Sequence, residues 1–548
     1  MKIWDPRGIR RYLFYFTLVF LFGPGCAGVD SFNQETGHLF YRNIDGTQNN
    51  LDQPTWGAAG SQLKRMAVSA YGDGISSLAG ADWPNPRLLS NQLMDQLISQ
   101  PNDRGLSSFV WQWGQFVDHD IDLTPDNKPA GGNPGEAADV PVPQGDPWFD
   151  PLNTGQVTLA FFRSVFDGET GLDRPREQIT MITAWIDGSQ VYGSDDDRAL
   201  WLRTGEGGKL KEGEPGYLPW NDGTQANAPD NSTLLMVGGD VRANEQVGLL
   251  SLHVLFFREH NRLAAQLQAA HSDWTDEEIY QRARKIVGAT LQAITFNEFL
   301  PALLGPYAPG PYGGYDPTVD PSILNEFSAA LYRFGHSMVA GELLRLQEDG
   351  SPVPEGPLAL REAFFDPIRV MLEGGIDPIL RGLAAQRMEE VDCPMVEDLR
   401  NFLFGPPGAG GLDLAALNMQ RGRDHGLPDY NTIREAFGLT RLSSFQEITS
   451  EPNLAQNLEN AYGDPNKVDV WAGSLAEDHL PGSSLGELLS VAIAYQFGAL
   501  RDGDRFWYEN DGAFTAQEVQ GISQTRLSDI IRRNTQIQNI PDNVFVLP

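Results

Sequence analysis

The stretch Trp111–Pro125, WQWGQFVDHDIDLTP, constrains this chain more than any other. At 3.6 residues per turn it places Gln115, Asp118 and His119 on one helical face. Trp111, Phe116, Val117 and Ile121 surround that face with apolar contacts. An amide, a carboxylate and an imidazole converging on a buried face cost free energy unless something there uses them. Asp120 lies about 100° further round the helix from His119 and must serve a different site. Taken alone, a helical His between two Asp reads as a solvated or hydrogen-bonded surface residue. Later stretches change that reading, because each supplies a part that a site around His119 lacks.

The chain has 548 residues, is 41% hydrophobic and carries a formal charge of −33. That is enough apolar material for a large core, and the charge argues against nucleic acid or an anionic membrane as partner. Lys2, Arg7, Arg10 and Arg11 precede an apolar run from Tyr12 to Phe22, followed by the small residues Gly23, Gly25 and Ala27. This pattern is expected to be a signal peptide over residues 1–28, too short to be a transmembrane span, so export is expected (secreted, periplasmic or at the cell surface). Cys26 offers a point for lipid attachment, although Gly23 stands where a lipoprotein signal has Leu. Cys26 and Cys393 are the only cysteines, so an exported chain of this size must be held by its core or by metal.

From His38 to Leu93 the sequence is rich in Gly, Asn and Pro and reads as an irregular arm over a core. The Pro/Gly-rich run Asp126–Asp150 reads as a surface excursion without regular structure. In ITMITAWIDGSQVYGS, the side-chain oxygens of Thr183, Asp187 and Ser189 recur at short spacing around Trp185. With backbone carbonyls of Thr183 and Trp185, and Asp120 as a second carboxylate, they make a hard-oxygen set that suits calcium. MVGGDVRANEQVG carries Asp240, Arg242 and Glu245 into a helix that is apolar almost all round. Within that helix, Glu259 and His260 lack the second His of a metal pair and read as structural. NEFSAALYRFGHSMVAGELL reads as a helix whose small residues Ser328, Ala329 and Gly335 would admit a flat cofactor beside His336. Arg333 shares the His336 face, and Asn418 and Arg421 share a face in LDLAALNMQRGRDHGLPDYN. The whole reads as one large, mainly α domain with long irregular loops and little β-structure.

Side by side, WGQFVDHDIDLTP, TAWIDGSQVYGS, DVRANE with FFREHNRLA, YRFGHS and LNMQRGRDHGLPDYN resemble the animal haem peroxidase family, within the peroxidase–cyclooxygenase superfamily. The resemblance runs from about His38 to the C-terminus and is nearest to bacterial-type members. It implies a haem b cofactor with His119 as distal base, Gln115 beside it, Arg242 as distal arginine and His336 as proximal iron ligand. It further implies Asn418 as the partner of the proximal ring, and Arg333 and Arg421 as holders of propionates. Asp118 and Glu245 match the acids that form ester bonds to the haem, and Asp120, Thr183, Trp185, Asp187 and Ser189 match a calcium shell.

The implied chemistry is reduction of hydrogen peroxide, with His119 as general base then acid and Arg242 stabilising charge along the O–O bond. Electrons would come from halide, thiocyanate or phenolic donors. Gln246 stands where one branch has a Met linked to haem, so that link is not expected, which bears against chloride oxidation. A fatty-acid dioxygenase of the same superfamily is the nearest rival. It needs a Tyr three residues before the proximal His, where this chain has Arg333, with Tyr332 four before. A secreted adhesion module on the same fold is a rival of another class, and retention of His119, Arg242 and His336 argues against it.

Overall fold

Capping side chains fix where the main helices begin. Asn85 accepts from Leu88 N and Pro86 occupies the first turn, which starts helix α1 (Pro86–Leu93). This corrects the expectation of an irregular arm up to Leu93: NPRLL is a capping signature that the surrounding Gly and Pro obscured. Helix α2 (Phe109–Ile121) carries the Gln115, Asp118 and His119 face. Gln246 caps α3 (Val247–Ala270), a reciprocal Thr275–Glu278 capping box starts α4 (Asp276–Ile294), and Asp413 caps α5 (Leu414–Asp424). Helix α6 (Val470–Leu475) follows near the C-terminal part.

The computed structural model describes residues 41–129 and 134–548. The expected signal segment and Cys26 lie outside the described residues. From Tyr41 to Pro548 the chain forms one unit, 39% helix and 7% strand, which places it in the mainly α class. The named strands among the described residues pair as two short antiparallel ribbons, Val140–Pro141 with Thr158–Leu159 and Glu342–Leu343 with Leu358–Ala359.

The core is built where α2 crosses α3. Phe116 stacks on Phe256 with ring centroids 5.3 Å apart, and Trp113 lies 5.7 Å from the same ring. Each of these aromatic rings is fully buried, and full burial of a side chain this large contributes about 1.5–3 kcal/mol. Trp113 also donates to Thr295 Oγ1 at 3.2 Å, tying α2 to the wide helical turn Thr295–Phe299 that ends α4. The stretch Asp276–Tyr307 is long and apolar enough to cross a membrane, but it is mostly buried within the fold and its composition is that of a core helix.

Two other sequence expectations need correction. The excursion Asp126–Asp150 is not wholly irregular: it contains one of the short strands, and Val140, Val142 and Phe149 are buried with Ala416 of α5. The His336 segment is not one helix. It breaks at Ala330 (φ −143°, ψ −60°) into a short α-helix, Asn325–Ala329, and a tighter three-residue-per-turn helix, Leu331–Met338. Gly335 and Ser337 are weak helix formers, and in the tighter helix residues three apart eclipse. Arg333 and His336 are therefore brought onto one side.

Candidate active site

Gln115, Asp118 and His119 of α2 line a cavity of about 330 Å³, together with Arg242, Glu245, Arg333 and His336. The distal face is held by one carboxylate. Asp240 Oδ1 accepts from Arg242 Nε and Oδ2 from Arg242 Nη2, each at 2.9 Å, the bidentate geometry that fixes a guanidinium in a plane. Arg242 Nη2 also donates to the Asp122 carbonyl at 2.9 Å, and Nη1 lies 3.4 Å from Asp118 Oδ2. Asp240 Oδ1 stands 3.7 Å from His119 Nδ1. Burial, reinforced by the charge of Arg242, pushes the His119 imidazole well below its ordinary value, so it is neutral near pH 7. Burial opposes the Asp240 charge, but Arg242, by its charge and its hydrogen bonds, holds that carboxyl far below the usual range.

Asp118 and Glu245 are the poorly satisfied acids of the cavity wall. Burial pushes the Asp118 carboxyl up to about 7 against the pull of Arg242, and burial likewise raises Glu245. Gln115 Nε2 donates to Glu245 Oε1 at 3.1 Å, while Gln246 Nε2 donates to the side-chain oxygens of Gln112 at 2.6 Å and Gln115 at 3.0 Å.

His336 faces the same cavity, and behind it Asn418 of α5 places its side-chain amide 2.8 Å from Nδ1. Asn418 Oδ1 is buried without a partner. A half-turn of the amide brings that oxygen to the ring, where it accepts Nδ1–H and leaves Nε2 with a free lone pair. Burial, with Arg333 nearby, lowers His336 to about 3. Trp471 of α6 donates to the Arg333 carbonyl at 3.1 Å and anchors this segment.

On the other side of α2, Asp120 turns to the loop around Asp187. Ser189 N donates to Asp120 Oδ1 at 2.6 Å and to Asp187 Oδ1 at 3.0 Å, and Gly188 N donates to Asp120 Oδ2 at 3.2 Å. Thr183 Oγ1 lies 3.4 Å from Asp187 Oδ1, whereas Asp187 Oδ2 is buried with no partner. Burial first, and then the Asp187 charge, raise Asp120 well above the carboxylate range.

Comparison with known proteins gives the family of the chain. The model of the family described as animal haem peroxidase matches residues 41–545. The chain belongs to the animal haem peroxidase family. Membership makes it an oxidoreductase of the haem-peroxidase type. It is 37% identical to peroxidasin of Drosophila melanogaster over 93% of its own length and 36% of that protein, so it spans about a third of that relative. The solved structure of peroxidase A from Dictyostelium discoideum superposes with a TM-score of 0.83 at 33% identity, covering 92% of this chain and 99% of that one. Fatty acid alpha-dioxygenase from Arabidopsis thaliana shares the fold, with a TM-score of 0.77 at 20% identity over 92% of this chain and 83% of that one.

The haem implied by this family fits the residues present. Gly114 and Gly335 both line the cavity, and a Cβ on either would meet only ordinary contacts, 3.5 Å from Phe299 and 3.7 Å from Met338. The unpartnered Asn418 Oδ1 and the neutral His336 suit a metal ligand with its ring proton held from behind. Calcium suits the oxygens of the second site: two buried carboxylates stand close, one Asp187 oxygen has no partner, and Arg284 and Arg42 offset their charge only in part.

Of the sequence candidates, Gln115, Asp118, His119, Arg242, Glu245, Arg333 and His336 share the cavity, and Asn418 stands behind it. Arg421 does not line it. Its guanidinium donates to Phe162 O, Ser164 Oγ, Asp424 Oδ2 and Asp126 Oδ1 and lies 4.3 Å from the Phe161 ring centre. Those contacts make it a tie between α5 and the excursion rather than a wall of the cavity. The sequence assigns no role to Asp240 or Asp122, and it uses Gln246 and Tyr332 only against a third haem link and against dioxygenase chemistry. Asp240 is signalled by its place two residues before Arg242. Tyr332, whose hydroxyl donates to Gly114 O at 3.2 Å, carried no periodic signal because its segment is not a regular helix.

Proposed function

We propose that this protein reduces hydrogen peroxide at a haem b held between His119 and His336, and oxidises a halide, thiocyanate or phenolic donor. One observation carries the reading: a neutral buried imidazole, His119, stands with a fixed cation, Arg242, on the wall of the cavity that His336 and Asn418 close. Haem, when bound, supplies the electron-transfer chemistry. Neutral His119 accepts the proton of the arriving peroxide at Nε2 and returns it to the departing oxygen. Arg242, kept charged and in plane by Asp240, stabilises negative charge developing on the peroxide oxygens. Gln115, held by Glu245 and Gln246, orients polar groups beside His119.

Asp118 and Glu245 are the groups through which ester links to haem would form. Each is a half-buried carboxyl on the cavity wall with weak protein partners, and a covalent link removes the cost of its partial desolvation. Arg333, at the cavity wall with Nε on Ser328 O at 2.8 Å, is the cation available to a propionate. Asp120, Thr183, Asp187 and Ser189, with the Trp185 carbonyl, would hold calcium. A signal-directed export of the mature chain belongs to this reading.

Peroxide-dependent oxidation of guaiacol and of bromide tests the proposal. The Arg242→Lys variant, which loses the bidentate link, is expected to lose on the order of 100-fold in kcat/KM for peroxide. A variant as fast as the wild type would refute the role given to Arg242. Oxygen uptake with an unsaturated fatty acid, in the absence of peroxide, would instead establish the dioxygenase chemistry.

A further inference from the structure

Behind the distal face, His119 Nδ1 is buried without a hydrogen-bond partner, while the neighbouring His253 is met by the Gln190 backbone. His253 lies on α3, is 1% exposed, and meets Phe116 of α2 edge-on at 5.1 Å. Its Nδ1 would be only 3.2 Å from a Cβ at Gly238, so the backbone closes over it. Buried polar atoms are almost always satisfied by protein or ordered water. An unpartnered one beside a buried carboxylate therefore marks a functional arrangement. That carboxylate is Asp240, which stands 3.7 Å from His119 Nδ1 and grips Arg242 with both oxygens. After burial, it is also the strongest influence on the His253 ring.

A separation of 3.7 Å is longer than a hydrogen bond, but hydrogen bonds to catalytic groups often tighten only when substrate is bound, or run through one water. We propose that Asp240 is a positioning residue for peroxide reduction: it takes the Nδ1 proton of His119 as its hydrogen bond, directly or through a buried water. With Nδ1–H so engaged, the His119 Nε2 lone pair points to the cavity, as the base requires. The same carboxylate fixes Arg242, so base and cation keep their relative placement through one residue. This inference rests on the peroxidase reading.

The test uses the haem-loaded protein with Asp240→Asn and Asp240→Glu, and two readouts. One is the rate of the spectral change on mixing with hydrogen peroxide; the other is the equilibrium affinity for cyanide, a distal ligand that needs no turnover. Asp240→Asn is expected to slow the peroxide step about 100-fold and to weaken cyanide binding about tenfold, with the rate of the donor step unchanged. Asp240→Glu, which keeps the carboxylate, is expected to recover most of both losses. Wild-type values in Asp240→Asn, or an Asp240→Glu no better than Asp240→Asn at equal thermal stability, would overturn the proposal. If Asp240→Asn does not fold, Asp240→Glu decides: a loss in the peroxide step smaller than about tenfold is expected, and a loss of about 100-fold would overturn the proposal. A wild type inert to peroxide would refute the peroxidase reading instead, while cyanide affinity would still test the positioning.

Discussion

His260 shows how one buried side chain ties a titration to stability. It is fully buried, its Nε2 faces Gly208 O at 2.8 Å and its Nδ1 faces the Tyr192 hydroxyl at 2.9 Å, so both ring positions are used. Glu259 beside it is bound by Arg262 and Asn534, and the pair is structural as the sequence indicated. Burial lowers His260 to about 4. A depressed histidine favours the folded state fully above its unfolded pKa of about 6.5, and that contribution falls as pH drops toward 4. His260→Gln should therefore destabilise more at pH 7.5 than at pH 5, with the gap to wild type narrowing by about 2 kcal/mol, read from urea midpoints at the two pH values. A gap independent of pH would show that His260 is protonated in the fold.

At the scale of elements, the α2–α3 crossing sets the distal face. Gly248 in the first turn of α3 approaches α2 so closely that a Cβ there would lie 2.3 Å from Gln112 Oε1. Gln112 is fully buried and bonded to Gln246, so it cannot simply swing away. Gly248→Ala should cost about 1–3 kcal/mol in unfolding free energy and disturb Gln115 as well. The loop carrying Asp187 is the second joint. Removing calcium with a chelator should lower the thermal midpoint by several degrees, on the order expected when a native-state ligand is lost, and Asp187→Asn should abolish that difference. An unchanged midpoint would remove calcium from the account.

The elements also show what the sequence could and could not reveal. Helices with a cap or clean periodicity are legible together with the side chains they carry: α5 starts at the Asp413 cap, and α2, which has no side-chain cap, shows its periodic face. The tight helix bearing His336 is not legible, because its three-residue turn has no 3.6-residue pattern and reads as ordinary helix. The family resemblance implies a propionate contact for Arg421, and sharing a helix face with Asn418 says nothing of the partners waiting in a distant loop. Asp240 was passed over for the same reason: its two-oxygen grip on Arg242 exists only once the turn before α3 is folded. Local spacing finds residues that share an element, and tertiary contacts decide which of them share a site.

For the molecule as a whole, charge is the dominant global property. A net charge of −33 surrounds a cavity whose donors must diffuse in from solution. A field of that sign slows anionic donors and favours cationic ones, and salt weakens both effects. Between about 10 and 200 mM salt, kcat/KM for bromide or thiocyanate should rise by about threefold or more, while that for a cationic phenol such as tyramine should fall. Salt-independent rates for both would mean that the cavity mouth is screened from the surface field.

The most direct measurement is the optical spectrum of the haem-loaded protein before and after one equivalent of hydrogen peroxide, for the wild type and for His119→Ala. The account predicts that the Soret band of the wild type changes within milliseconds to seconds and recovers when a phenolic donor or bromide is added, and that the change in His119→Ala is at least about 100-fold slower. A Soret band indifferent to peroxide, or an His119→Ala variant as fast as the wild type, would contradict it.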